Sequence, residues 1–350
     1  MKVSSKLHAV VHNRPMISNL QDTTNGKLDT LLLWVVKDGK RGHENQSVGL
    51  IRALAKLRPV KLIEINVATR GLTWLDYLMR RSSRFASEPK PDLIIGAGSR
   101  THATILGAGR ATGAFTVVLM SPPKGLRHRF DLCIAPEHDA HVRTNVITTR
   151  GALNLIEPST QKKPDSGLIL IGGPSKHHRW DGTQIVDSIS QITRSCPGIR
   201  WTATTSPRSP ASTYPELTAI AAGNLEVIPV EQTDGDWLPA HLAEASFVWV
   251  SEDSVSMIYE ALSSGAKVGV LPVPRKPGKS RVIRGVDALI KEASLLPYSS
   301  GHHDLSNFKA QDPLNEAERV AGIVIDKFSQ KQLVTKMSRA SLAGSRASHC

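Results

Sequence analysis

Four short segments carry the residue types that chemistry on an anionic substrate requires. The first is Asp38-Gly39-Lys40-Arg41-Gly42-His43-Glu44-Asn45-Gln46. Its glycines let a backbone approach a ligand, its cations attract negative charge, and histidine, here His43, is the residue type suited to taking and returning a proton near neutral pH. His43 is the expected general base and Asp38 the alternative. Gly39, Arg41, Gly42, Asn45 and Gln46 are the expected acceptor or phosphate contacts. A solvated turn with a capping role is the plainer interpretation, and it leaves most of these side chains without a task.

The second segment, Gly172-Gly173-Pro174-Ser175-Lys176, offers backbone amides suited to a diphosphate. The third, Thr205-Ser206-Pro207-Arg208, offers hydroxyls and a guanidinium suited to phosphate or the edge of a base. In the fourth, residues 251–261, Asp253, Ser254 and Ser256 sit where a helix begins, so free amides and the macrodipole favour phosphate. Glu260 lies about one turn onward and can accept from ribose hydroxyls; the plainer alternative is a capped helix with Glu260 in solvent. Ser99, Lys279 and Arg281 are further candidate phosphate contacts. No metal site is expected, because His177-His178 with Asp181 and His302-His303-Asp304 lack separated ligand spacing. Gly107-Ala108-Gly109 with Gly113 precedes an apolar run and reads as a helix end. Pro277-Gly278-Lys279-Ser280 has Val273 where a P-loop needs its first glycine.

The segments follow apolar runs of strand length. Such runs occupy 30–36, 60–67, 92–95, 115–120 and 131–135, and again 168–171, 199–204, 225–229, 247–250 and 268–271. Between them lie helical patterns, for example Val48, Ile51, Leu54 and Leu57 on one side, and residues 184–192. Strands alternating with helices imply mainly parallel sheets covered on both faces, with ligands at the carboxyl ends of the strands. The polar stretch 157–167, with two prolines, reads as a linker between two α/β domains. Residues 1–29 read as a flexible leader and 301–350 as a tail helix with a frayed end, the helix lying near 314–334 and packing back across the cleft. Trp74, Leu75, Leu78 and Met79 recur at helical spacing beside Arg70, Arg80, Arg81 and Arg84. They are expected to be the buried face of a helix, with docking on anionic lipid as the alternative.

Composition bounds the function. With 350 residues, 40% hydrophobic and 21% charged, and glycine and proline spread along the chain, the sequence is neither collagen-like nor low-complexity nor wholly disordered, and its length suits two domains. No apolar run approaches the ~18 residues of a membrane span. The apolar stretch at 7–11 is too short for a signal-peptide core, so a cytoplasmic protein is expected, with peripheral contact at an inner membrane left open. Cys133, Cys196 and Cys350 suit neither a disulfide framework nor a zinc cluster and read as buried or idle thiols. The net charge of +13 is dispersed, aromatics are 5%, and no helix-turn-helix, zinc-finger or RNP pattern occurs, so phosphate-bearing small ligands are favoured over nucleic acid.

Together, DGKRGHENQ, GGPSKHHRWD, TTSPRSP and EDSVSMIYEALSSGAKVGV resemble, in order over about residues 30–300, the mitochondrial-fission (elongated mitochondria) family of plants and bacteria, regarded as glycosyltransferases. The resemblance implies a glycosyltransferase-B-like architecture in which two Rossmann-like domains face each other across a cleft. Residues 30–156 would be the acceptor domain and 168–300 the nucleotide-sugar donor domain. Glu260 would hold ribose, Ser254 and Ser256 the diphosphate, and Gly173 and Arg208 the rest of the donor surface. The implied activity is sugar transfer from a nucleoside-diphosphate sugar to an unidentified envelope or lipid-linked acceptor, with no cofactor. A nucleotide-sugar epimerase on the same fold and a non-catalytic adaptor at a membrane are the alternatives. Similar chains carry Thr-Gly-Asp where this one has Ser251-Glu252-Asp253, which brings an added carboxylate to the expected phosphate site, and Pro207 stands where a second arginine is usual.

Overall fold

The computed structural model describes residues 29–81, 85–137, 143–221, 223–278, 280–299, 305–308 and 312–347. The expected leader, apart from Asp29, lies outside them, as do Arg84, Lys279, His302-His303-Asp304 and Cys350.

The first half runs β1 (Leu31–Lys37), α1 (Arg41–Leu57), β2 (Val60–Asn66), α2 (Val67–Arg70), α3 (Trp74–Leu78), β3 (Leu93–Ala97), α4 (His102–Thr112), β4 (Phe115–Leu119), β5 (Leu132–Pro136) and β6 (Val146–Thr149). Its strands form one parallel sheet in the order β2-β1-β3-β4-β5-β6. Alternation along β1 builds two cores. Leu31, Leu33 and Val35 face Leu50 and Leu54 of α1, while Trp34 and Val36 face Ile105 of α4.

The second half runs β7 (Lys163–Leu170), α5 (Gly182–Ser195), β8 (Arg200–Thr204), α6 (Thr213–Ile220), β9 (Leu225–Ile228), α7 (Trp237–Glu244), β10 (Ala245–Ser251), α8 (Val255–Ser263), β11 (Lys267–Leu271), α9 (Arg281–Lys291), β12 (Leu296–Pro297) and α10 (Glu316–Ala347). The second parallel sheet has the order β12-β11-β10-β7-β8-β9. Strand order reverses between β1 and β3 in one sheet and between β7 and β10 in the other, and such switch points open a crevice at the strands' carboxyl ends. The two α/β units face each other there, and Asn154 Nδ2 donates to Ser263 Oγ at 3.1 Å across the contact.

Several expectations change. Strand β7 begins at Lys163, inside the segment expected to be a linker, because its charged start pairs across the sheet's solvent end: Lys163 with Glu244 at 2.5 Å and Asp165 with Arg200 at 2.8 Å. Strands β6 and β12 gave no apolar run because they are short and partly exposed. Helix α10 extends to Ala347, and Val320, Ala321, Val324 and Phe328 pack it into the core shared with α1. Gly107 and Gly109 lie within α4, with Gly113 at φ 77° as its left-handed cap. The largest correction concerns α3: Trp74, Leu75, Leu78 and Met79 are 41, 60, 71 and 54% exposed, because Leu72 and Tyr77 fill the core instead. Among the described residues no helix is long and apolar enough to cross a membrane.

Candidate functional site

A cleft of about 480 Å³ opens between the two units. Arg41, His43, Asn45 and Gln46 line it from the start of α1, and Ala152, Leu153 and Asn154 from the segment after β6. From the other side come Thr205, Ser206 and Arg208 after β8, Thr233, Asp234, Trp237 and Leu238 around α7, and Ser254, Ser256 and Glu260 at the start of α8 and along it. Each set follows a strand of one of the two sheets, and the sets after β1, β8 and β10 follow largely buried ones, so the sheets fix where the side chains stand.

His43 and Asp38 form a pair. His43 Nδ1 lies 2.9 Å from Asp38 Oδ2, and the Asp38 side chain is wholly buried. An ionised carboxylate can only accept, so the contact favours the tautomer in which Nδ1 donates, and in a neutral imidazole of that tautomer Nε2 is the acceptor. The backbone holds the carboxylate in turn, since Lys40 N donates to Asp38 Oδ1 at 3.1 Å. Gly39, at φ 80°, turns the chain and donates its N–H to Glu44 Oε1 at 3.2 Å. The other strand at the switch point contributes Gly98, φ 84°, where an added Cβ would stand 2.3 Å from His43 Nδ1. Glycine there is what allows the imidazole its position.

Across the cleft, Ser254 caps α8 without a side-chain capping hydrogen bond, and Ser256 is exposed at its first turn. Both residues line the cleft, and the first-turn amides of a helix have no intrahelical acceptor, a combination suited to an anion. Glu260 is half-buried, and its carboxylate has no hydrogen-bond partner among the described residues. Desolvation pushes that carboxyl up to about 7, and the Arg41 guanidinium opposes the rise. Arg41 also reaches over the cleft, its Nη2 lying 3.7 Å from where a Cβ on Gly235 would stand.

The expected amide cradle at Gly172 and Gly173 is closed. Gly172 N donates to Ser251 Oγ at 2.7 Å and Gly173 N to Asp253 Oδ2 at 2.9 Å, so both amides tie β7 to β10. Added Cβ atoms would lie 2.2 Å from Asp253 Oδ2 and 2.1 Å from Arg208 O respectively. Asp253 is therefore a positioning group: its side chain is wholly buried and pairs with Arg208 Nη2 at 2.9 Å. Ser175 is likewise used up in its own turn, accepting from His177 N and His178 N. Glu252 turns away from the cleft to Arg275 Nε at 2.6 Å, which removes its carboxylate from the expected phosphate position. Ser99 is exposed after β3 and does not line the cleft, and Arg281 lines a different cavity with Arg150 and Tyr259. Asp181 caps α5, and among the described residues no group of three or more His, Cys, Asp or Glu could hold a metal ion.

The sequence reasoning missed the α7 side of the cleft. Trp237, stacked on His241 with centroids 3.8 Å apart, and Thr233, Asp234 and Leu238 all line it. The signal was present, since Thr-Asp-Gly-Asp-Trp follows β9 as the other segments follow their strands.

A profile of the family described as mitochondrial fission ELM1 matches residues 41–328. The mitochondrial fission protein ELM1 of Arabidopsis thaliana is 24% identical over 271 residues, covering 66% of this chain and 62% of that protein, so the chain spans about three fifths of this relative's length. Among solved structures, the chain is similar to one from Listeria monocytogenes provisionally assigned as a UDP-N-acetylglucosamine 2-epimerase, with 13% identity, 86% of this chain and 98% of that one covered, and a TM-score of 0.57. It is also similar to the glycosyltransferase SnogD of Streptomyces nogalater, with 14% identity, 86% and 96% covered, and a TM-score of 0.46. The first structural likeness concerns the fold alone, two parallel α/β units across a cleft, which is glycosyltransferase-B-like.

Proposed function

We propose, on the premise that the chain belongs to the mitochondrial fission ELM1 family, that its cleft binds a nucleoside-diphosphate sugar and transfers the sugar to an acceptor hydroxyl. The observation that carries this reading is the pairing of buried Asp38 with His43 on one wall, opposite Ser254, Ser256 and the unpartnered Glu260 on the other. In this reading Glu260 accepts from ribose hydroxyls. The α8 N-terminus with Ser254 and Ser256 meets the diphosphate, and Arg41 and Arg208 add positive charge, so helix dipole and guanidinium groups take the role a metal plays elsewhere.

In the reaction, the acceptor hydroxyl gives its proton to His43 Nε2 while its oxygen attacks the anomeric carbon. The bond from that carbon to the diphosphate breaks, and its electron pair leaves on the phosphate oxygen. Buried Asp38 keeps the required tautomer and stabilises the imidazolium. A cytoplasmic location with peripheral contact at a membrane belongs to the same reading.

The test is release of nucleoside diphosphate from a panel of uridine, guanosine and thymidine diphosphate sugars, with water as acceptor, by wild type and His43→Gln. Loss of about a hundredfold or more in turnover with donor affinity kept is expected. Turnover surviving within a few-fold would remove His43 as the base. Isomerised free nucleotide sugar as the product would replace transfer by epimerisation, and absence of any nucleotide binding would leave an adaptor.

A further inference from the structure

Helix α3 presents apolar surface that the fold leaves uncovered. Trp74, Leu75, Leu78 and Met79 are all exposed, the first three on one short helix and Met79 at its C-cap. Trp74 is held edge-on against Tyr77, with centroids 5.7 Å apart and planes at 88°, so the outer ring has a fixed seat. Positive charge surrounds this seat. Arg110 stands 4.3 Å over the Tyr77 ring, and Arg129 Nη1 donates to Tyr77 Oη at 2.9 Å. Arg80 and Arg81 follow directly, exposed and without an ion pair among the described residues. The nearby acids are engaged: Asp76 accepts from Thr73 N and Oγ1 in the capping box, and Glu88 pairs with Arg70 at 2.6 Å.

We propose that this face is a peripheral docking surface for an anionic phospholipid bilayer. Trp, Leu and Met side chains at this spacing enter the boundary between headgroups and acyl chains, and arginines at the rim pair with headgroup phosphates. Charge complementarity selects the occupant. The local excess of unpaired cations repeats the net +13 of the chain, and the patch offers exposed side chains of the types that enter a lipid interface. Because neither a few apolar side chains nor a few arginines anchors a protein alone, both parts are needed together.

A second exposed apolar group, Leu333, Val334 and Met337 on α10, cannot share the contact. Helix α10 packs on the α1 face of the first sheet and α3 on the α4 face, so a flat bilayer meets one or the other.

Flotation of the full chain with phosphatidylcholine vesicles, with and without phosphatidylglycerol, tests the proposal. Wild type should float with the anionic vesicles only, and less at high salt. Leu75→Ser with Leu78→Ser, and separately Arg80→Glu with Arg81→Glu, should each weaken partitioning about tenfold or more with unchanged thermal melting. Leu333→Ser with Met337→Ser should leave it unaltered. No flotation, equal binding to neutral vesicles, loss through the α10 variant instead, or a dimer that disappears with Leu75→Ser and Leu78→Ser in the absence of vesicle binding would each overturn it.

Discussion

Replacing Glu260 by glutamine should stabilise the protein in alkaline solution and leave it nearly unchanged in acid. The carboxyl ordinarily titrates at 4.5, and in the folded chain burial pushes it up to about 7. A group with a raised folded-state value binds its proton more tightly when folded, so its contribution is most favourable below 4.5 and is lost as pH rises through 7. A rise from 4.5 to about 7 corresponds to about 3 kcal/mol once both states are ionised. The side chain keeps an opening to the cleft, where water screens it, which lowers the expectation to about 1–2 kcal/mol. Glutamine keeps the shape and removes the charge. Urea denaturation of both proteins at pH 4 and pH 8 reads the difference directly. Equal stability at pH 8, or the same gain at both pH values, would refute the claim that an ionised Glu260 is poorly solvated in the folded chain. A carboxylate kept at such a cost and without a partner is what a ligand-contacting group looks like.

Two further outcomes follow from the same geometry. Gly98→Ala should cost about 1–3 kcal/mol, because its Cβ would meet the His43 ring at 2.3 Å and its φ is 84°. In a His43→Ala background only the backbone part should remain, so equal costs in the two backgrounds, measured by thermal melting, would contradict the contact. Cys133 and Cys196 are buried, and burial pushes the Cys133 thiol up to about 12. Peptide mapping after iodoacetamide treatment should find both unlabelled in the native protein and labelled after unfolding, and rapid native labelling of Cys133 would contradict its burial.

What the sequence disclosed depended on how strongly each feature is written into local pattern. Buried central strands such as LLLWVV and LILI are continuous apolar runs, so the alternating α/β order was legible. Strand β6, four residues long with only Thr149 buried, had no such signature. The loops after β1, β8 and β10 carried their chemistry in residue type, and the structure brings His43, Arg208 and Glu260 to one cleft. Where the reading failed, tertiary pairing decided. The glycines 172 and 173 look like a phosphate cradle, yet their amides are taken by Ser251 and Asp253, residues about eighty positions away that no local pattern connects. The Asp38–His43 pair could not be chosen over two separate candidates until a helical turn brought them to 2.9 Å. At α3, helical spacing described the stripe but not which side of it the core would take.

The central claim, that the cleft between α1 and α8 receives a nucleotide, is tested most directly by calorimetric titration with uridine, guanosine, adenosine and thymidine diphosphates, using wild type and Glu260→Ala. The account predicts one-site binding of at least one of them, weakened in the variant by about 1.5–3 kcal/mol, or about 10- to 150-fold, through lost charge-assisted hydrogen bonds to ribose. Binding of none of the four, or equal affinity in wild type and variant, would contradict it.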